Sequence, residues 1–204
     1  LIEQGHLSEF EIKVLMLKHE YQEFDTYQDE MEYLCSHAGR NRFIRNLVCD
    51  LEGNTLVLFN YVEKHGMPLF ELINNKVEDS RQTFLIYGGV DTEDREKARR
   101  IAETTKDSII VASYGTFSTG INIRNLHNVV FASPSKSRIR NLQSIGRVLR
   151  KGDNKTKAVL YDIADDISKG GRRNYTLNHL IERVKIYNEE SFDYEFIDVN
   201  LKTK

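Results

Sequence analysis

"TLVLFNYVEKHGMPLFELINNKVEDSRQTFLIY", Thr55 to Tyr87, holds two short apolar runs on either side of a helical pattern. "TLVLF" (Thr55 to Phe59) and "TFLIY" (Thr83 to Tyr87) are β-branched or aromatic and continuous rather than alternating. Runs of this kind fit strands covered on both faces, as in a parallel sheet. With Pro68 to Val77 read as a helix between them, the stretch is a strand–helix–strand unit.

The rhythm continues downstream. "SIIVA" (Ser108 to Ala112), "NVVFA" (Asn128 to Ala132) and "KAVLYDI" (Lys157 to Ile163) read as further strands, with helices over Thr92 to Thr104 and Arg138 to Arg150. Strand and helix alternating at this spacing predict an α/β layered fold with right-handed crossovers and a mostly parallel sheet. In such sheets ligands sit outside the carboxyl ends of the strands. The segments after Phe59, Tyr87, Ala112 and Ala132 therefore line one working edge. Upstream, residues 1–52 read as helical. "RNRFIRNLVCDL" puts Phe43, Ile44, Leu47, Val48 and Leu51 on one stripe, and Gly53-Asn54 stops that helix. After Ile163 a Gly-Gly-Arg-Arg loop leads to a last helix, starting near "NHLIERVKIY", and an extended tail. The expected division is a helical connector and leading helix over 1–52, then the layered domain over 53–204.

A chain of 204 residues can bury a sizeable core, and a net charge of −2 excludes a polybasic nucleic-acid binder. The charge is uneven: Lys136 to Lys157 holds eight basic residues and one acid, whereas Glu20 to Glu32 holds six acids and no Lys or Arg. The acidic run reads as a solvated face. Cys35 and Cys49 lack metal-ligand spacing and fit buried thiols in a reducing, cytoplasmic setting. The scattered histidines give no metal site, and no apolar run reaches the ~18 residues of a membrane span. The chain starts with Leu and shows no signal peptide, as expected of a piece of a longer protein.

Within the basic run, "NLQSIGRVLRKG" (Asn141 to Gly152) carries the strongest chemical signal. Gln143, Arg147 and Arg150 stand at i, i+4 and i+7, within about 60° of one another on a helix. Leu142, Ile145, Val148 and Leu149 fall on the other side. Two forked guanidinium groups and an amide on one face suit phosphate oxygens, as a transferring γ-phosphoryl group requires. Exposed arginines in salt bridges are the plainer alternative; Gly146, unfavourable in a helix by roughly 1 kcal/mol, argues for close approach instead. In "VASYGTFSTGINI", hydroxyls and backbone N–H groups from Ser113 to Gly120 could hold a phosphate backbone or ribose, or form an ordinary connector. Gly88-Gly89 permits a tight turn or a close backbone approach, and Asp91 or Thr92 can cap the following helix. Asn60 stands where a strand hands over to a loop, and a simple turn role fits it more readily than contact with a ligand.

In order and spacing, these segments resemble the second RecA-like motor domain of superfamily 2 helicases and nucleic-acid translocases. "TLVLFNYVEKHG" resembles motif IV and "YGGVDTEDRE" the glycine-containing segment after the next strand. "VASYGTFSTGINI" resembles motif V and "QSIGRVLR" motif VI. "LIEQGHLSEFEIKVL" is similar to the connector after the first motor domain, and "HAGRNRFI" to the helix leading into the second. The resemblance implies a RecA-like three-layer domain. It makes Arg150 the arginine finger, with Arg147 on the γ-phosphate and Gln143 touching it or the attacking water. Gly120 and Asn122 approach the ATP ribose or relay the nucleotide state, although many relatives carry Asp where Asn122 stands. Asn60, Gly88, Ser113 and Thr116 lie along the nucleic-acid backbone; the loop from Ser113 to Gly120 is one residue longer than in many relatives.

The chain has no G-x-x-x-x-G-K-[ST] loop and no D-E-x-[DH] segment. The resemblance therefore leaves ATP and Mg²⁺ mainly to a preceding RecA-like domain of the same polypeptide, and the chain alone is expected to be inactive. Within the family it is similar to recombination and repair helicases of T-even bacteriophages, which implies branched DNA (junctions, D-loops or RNA–DNA R-loops) in the host cytoplasm. The competing readings are a non-enzymatic α/β nucleic-acid-binding module, an RNA helicase and a restriction-enzyme translocase.

Overall fold

A computed structural model describes residues 10–118, 125–134 and 158–201. The strand–helix–strand unit forms as read: β2 spans Thr55–Phe59, α3 Met67–Val77 and β3 Thr83–Ile86. All five residues of β2 are buried, so no polar face had to be reserved and the run could be continuously apolar. In chain order the other elements are β1 (Phe10–Lys18), α1 (Tyr27–Ser36), α2 (Ala38–Asp50), α4 (Thr92–Thr104), β4 (Ile109–Ser113), α5 (Tyr114–Ser118), β5 (Asn128–Phe131), β6 (Ala158–Asp166), α6 (Tyr175–Glu189) and β7 (Asp193–Asn200). One π-helical turn, Val62–Gly66, lies between β2 and α3.

Among the described residues seven strands form one sheet in the order β3-β4-β2-β5-β6-β1-β7, with every pairing parallel. Successive residues feed opposite faces. Leu56, Leu58, Ile110 and Ala112 pack with Ala98 and Ala102 of α4, Tyr114 and Phe117 of α5, and Leu177, Leu180 and Tyr187 of α6. Val57, Phe59, Ile109 and Val111 pack with Ile44 and Val48 of α2 and Leu69, Ile73 and Val77 of α3. The result is the RecA-like three-layer arrangement of helices on both faces of a parallel sheet.

One expectation needs correction. The N-terminal connector is not wholly helical: Phe10–Lys18 is a strand between β6 and β7. Phe10, Ile12, Val14 and Met16 enter one core while Leu15 and Leu17 enter the other, an alternation of period two that no helix face reproduces. The tail is extended as expected and forms a strand, β7, whose pairing with β1 completes the sheet edge. At α4, Asp91 takes the N-cap position without a side-chain capping bond. Among the described residues no helix is long and apolar enough to cross a membrane. Both cysteines are free, and burial raises their thiol pKa values, Cys35 to about 11.

The loops at the amino ends of the strands are tied by buried polar groups. Asn54, 1% exposed, donates from Nδ2 to the carbonyls of Ala102, Thr105 and Asn125 at 2.8, 3.0 and 3.2 Å. Its Oδ1 accepts from the Ser108 N–H at 2.9 Å. Asn54→Ala strands these groups inside the protein and is expected to cost about 2 kcal/mol, read as a lower midpoint in urea unfolding.

Candidate nucleic-acid and nucleotide site

The sheet order decides which strand ends become neighbours. Along β3-β4-β2-β5 the carboxyl ends present Gly88, Ser113, Asn60 and Ser133 in that spatial sequence, although the chain reaches them in a different order. With strands about 4.8 Å apart, the row spans roughly 14 Å. Asn60 and Ser113 are partly exposed and Gly88 is exposed. A Cβ built on Gly88 meets nothing within 4 Å, and its φ is not positive. Neither local strain nor a neighbour within the described fold requires glycine there, which leaves room for something outside to approach the backbone.

Ser113 and Thr116 fold together. The Ser113 hydroxyl accepts the Thr116 N–H at 3.2 Å and shares a 2.6 Å hydrogen bond with the Thr116 hydroxyl. Ser113 thereby caps α5, and Thr116 is buried at 5% exposure. Of the four residues assigned to a backbone track, Gly88, Ser113 and Asn60 share the edge, whereas Thr116 lies beneath it.

Below this row lies a buried polar layer. Arg40 of α2 grips Asp165 of β6 with Nε on Oδ1 and Nη2 on Oδ2, both at 2.9 Å, and gives Nη1 to the Ala132 carbonyl at 2.6 Å. His19 Nε2 meets Asp165 Oδ1 at 2.7 Å. Burial alone would raise the Asp165 pKa. The Arg40 guanidinium, with the His19 and Arg40 hydrogen bonds, outweighs it and holds the carboxyl well below the usual carboxylate range. His65, delivered inward by the π-helical turn, is fully buried. Burial, helped by the nearby Arg40 charge, takes its pKa down to about 3, so the ring is neutral at physiological pH.

Gly66 closes that turn against the Phe59 ring, where an added Cβ would come within 2.4 Å of ring carbon. A side chain at 66 therefore displaces either the turn or the core.

Sequence reasoning overlooked Ser133, His65, Arg40 and Asp165. Ser133 had a signal, since it follows "NVVFA" on the edge where ligands collect. Arg40, within a helical pattern, and His65, ahead of the helix read from Pro68, had none, because both resemble exposed polar residues.

Residues 39–152 match the helicase conserved C-terminal domain. The chain belongs to that family. It is 39% identical, over 98% of its length, to the ATP-dependent DNA helicase uvsW of Enterobacteria phage T4, of which it spans 43%. The crystal structure of T4 UvsW superposes with a TM-score of 0.79 at 38% identity, covering 96% of this chain and 42% of that one. The ATP-dependent Type ISP restriction-modification enzyme LlaBIII bound to DNA shares the fold, with a TM-score of 0.65 at 17% identity over 98% of this chain and 16% of its own.

As a superfamily 2 helicase C-terminal domain, the chain carries all its assigned site residues inside the matched segment. Strands β2 to β5 lie there too, while β6, β1 and β7, contiguous in the sheet, lie outside it. Gly120, Asn122, Gln143, Arg147 and Arg150, and the helix expected over Arg138 to Arg150, lie outside the described residues.

Proposed function

We propose that this chain is the C-terminal motor domain of an ATP-dependent DNA helicase or translocase that acts on branched DNA, including junctions, D-loops and R-loops, in recombination and repair. The observation that carries the reading is end-to-end similarity, 39% over 98% of the chain, to a DNA helicase. The row of accessible strand ends at Gly88, Ser113 and Asn60, backed by the buried Ser133, supports it as a track along a nucleic-acid backbone. Contacts of that kind position a strand without reading its bases. ATP with Mg²⁺ is held mainly by a preceding RecA-like domain. Arg150 serves as the arginine finger, Arg147 and Gln143 face the γ-phosphate, and Gly120 and Asn122 approach the ribose. In this arrangement the chain supplies half of an active site.

The test sets four-way-junction DNA, a D-loop, an R-loop and an RNA duplex side by side with the full-length protein and ATP. Unwinding of the branched DNA substrates is expected. Unwinding of the RNA duplex alone points to an RNA helicase, and translocation without unwinding to a restriction-type motor. The isolated chain is expected to turn over no ATP; turnover by it that Arg150→Ala abolishes would falsify the half-site reading.

A further inference from the structure

Beneath the proposed track runs a hydrogen-bond chain whose direction is fixed from one end. Asn41 donates Nδ2 to the Cys35 carbonyl at 3.0 Å, so its Oδ1 faces His65 Nε2, also at 3.0 Å, as an acceptor. His65 therefore carries its proton on Nε2, and Nδ1 is left to accept. The Ser133 hydroxyl, 2.5 Å away, donates to Nδ1. The Ser133 Oγ lone pairs then face the Asn60 backbone N–H, which donates at 3.1 Å. Ser133, His65 and Asn41 are buried, Ser133 and His65 completely, so water does not compete for these bonds.

Ser133 also ties the neighbouring strand ends. Its N–H reaches the Leu58 carbonyl of β2 at 3.4 Å, and its carbonyl accepts the Tyr114 hydroxyl, next to Ser113, at 3.1 Å. One residue at the end of β5 thus holds the loop after β2 and the start of α5. The π-helical turn that places His65 is itself an irregularity of the sort that recurs at functional sites.

We infer that Ser133, oriented by His65 and Asn41, is a positioning residue for nucleic-acid binding: it fixes the backbone at Asn60 so that the Asn60 side chain meets a phosphodiester strand. The inference rests on the proposed role of Asn60. Because the network engages only the backbone N–H of Asn60, the side chain can be removed without touching the network. The two claims therefore separate.

The experiment measures binding of a fluorescent single-stranded DNA oligonucleotide by the full-length protein in four forms: wild type, Asn60→Ala, Ser133→Ala and the double variant. Asn60→Ala alone is expected to weaken binding. Ser133→Ala leaves the Asn60 N–H and His65 Nδ1 without partners and is expected to raise Kd about tenfold. In the Asn60→Ala background the same change should add less than about twofold, because one variant acts through the other. Ser133→Thr keeps the hydroxyl and restores binding. Should Ser133→Ala fail to fold, Ser133→Cys, similar in size but a weak hydrogen-bonding group, gives the same reading. Additive effects, or a Ser133 variant that binds as wild type while Asn60→Ala does not, overturn the positioning role. Unchanged binding by Asn60→Ala overturns the track itself.

Discussion

Arg150→Lys in the full-length protein is expected to lower kcat for ATP by about 10³-fold, the scale of an arginine finger, while DNA affinity stays within about threefold. Charge is preserved by the substitution, so an arginine that serves only general attraction to nucleic acid would hardly register the change. A guanidinium in a phosphoryl-transfer site presents two N–H groups in a rigid plane that matches the spreading charge of the equatorial oxygens. An ammonium is a hydrated point charge on a flexible stem, and it cannot make the forked contact without losing more side-chain freedom. DNA affinity should hold because the proposed track consists of other residues. The decisive comparison is between kcat and the DNA dissociation constant of the same preparation. Equal losses in both mark Arg150 as a structural residue, and a normal kcat removes it from the nucleotide site.

The fold was largely legible because its signal is local. A central parallel strand must be apolar on both faces, so β2, β4 and β5 announced themselves as uninterrupted runs, and the sheet built from them differs from the reading by a residue or two at strand ends. β1 was legible too, in the alternation Phe10, Ile12, Val14, Met16, yet was absorbed into a helical reading of everything before Gly53. Its partners β6 and β7 lie some 150 residues or more downstream in register, from Phe10 with Ala158 onward, and no local pattern reports a pairing at that range. The site divides the same way. The edge that Asn60, Gly88 and Ser113 share could be placed because the carboxyl-end rule applies to any parallel sheet, while their role along a nucleic-acid backbone came from the family resemblance. Ser133 and His65 could not be linked, since their bond depends on a π-helical turn and a strand order that only the assembled sheet supplies. Thr116 shows the reverse: a hydroxyl in a polar loop reads as available, and the short helix α5 turned it inward.

Asp165→Asn is expected to destabilise the domain by about 4 kcal/mol, among the larger losses a single substitution produces. Arg40 and Asp165 are both fully buried, and Arg40 is held by the carboxylate through two parallel bonds and by the Ala132 carbonyl through a third. An amide of nearly the same shape keeps the packing but removes the charge, which leaves a guanidinium in the interior with no counterion. The pair itself need not be strongly stabilising; the loss comes from stranding one member, so Arg40→Met combined with Asp165→Asn should recover part of it. The same reasoning fixes a pH dependence. The native carboxyl titrates well below its unfolded value of about 3.9, so its contribution is complete above that pH and drains away as protons bind the unfolded chain first and then, lower down, the native one. Urea midpoints measured from neutrality down to acid should therefore fall more steeply below about pH 4 in the wild type than in Asp165→Asn. Parallel curves would show that Asp165 is not the carboxylate that Arg40 holds charged, and with it the link between α2 and the floor of the proposed track would be lost.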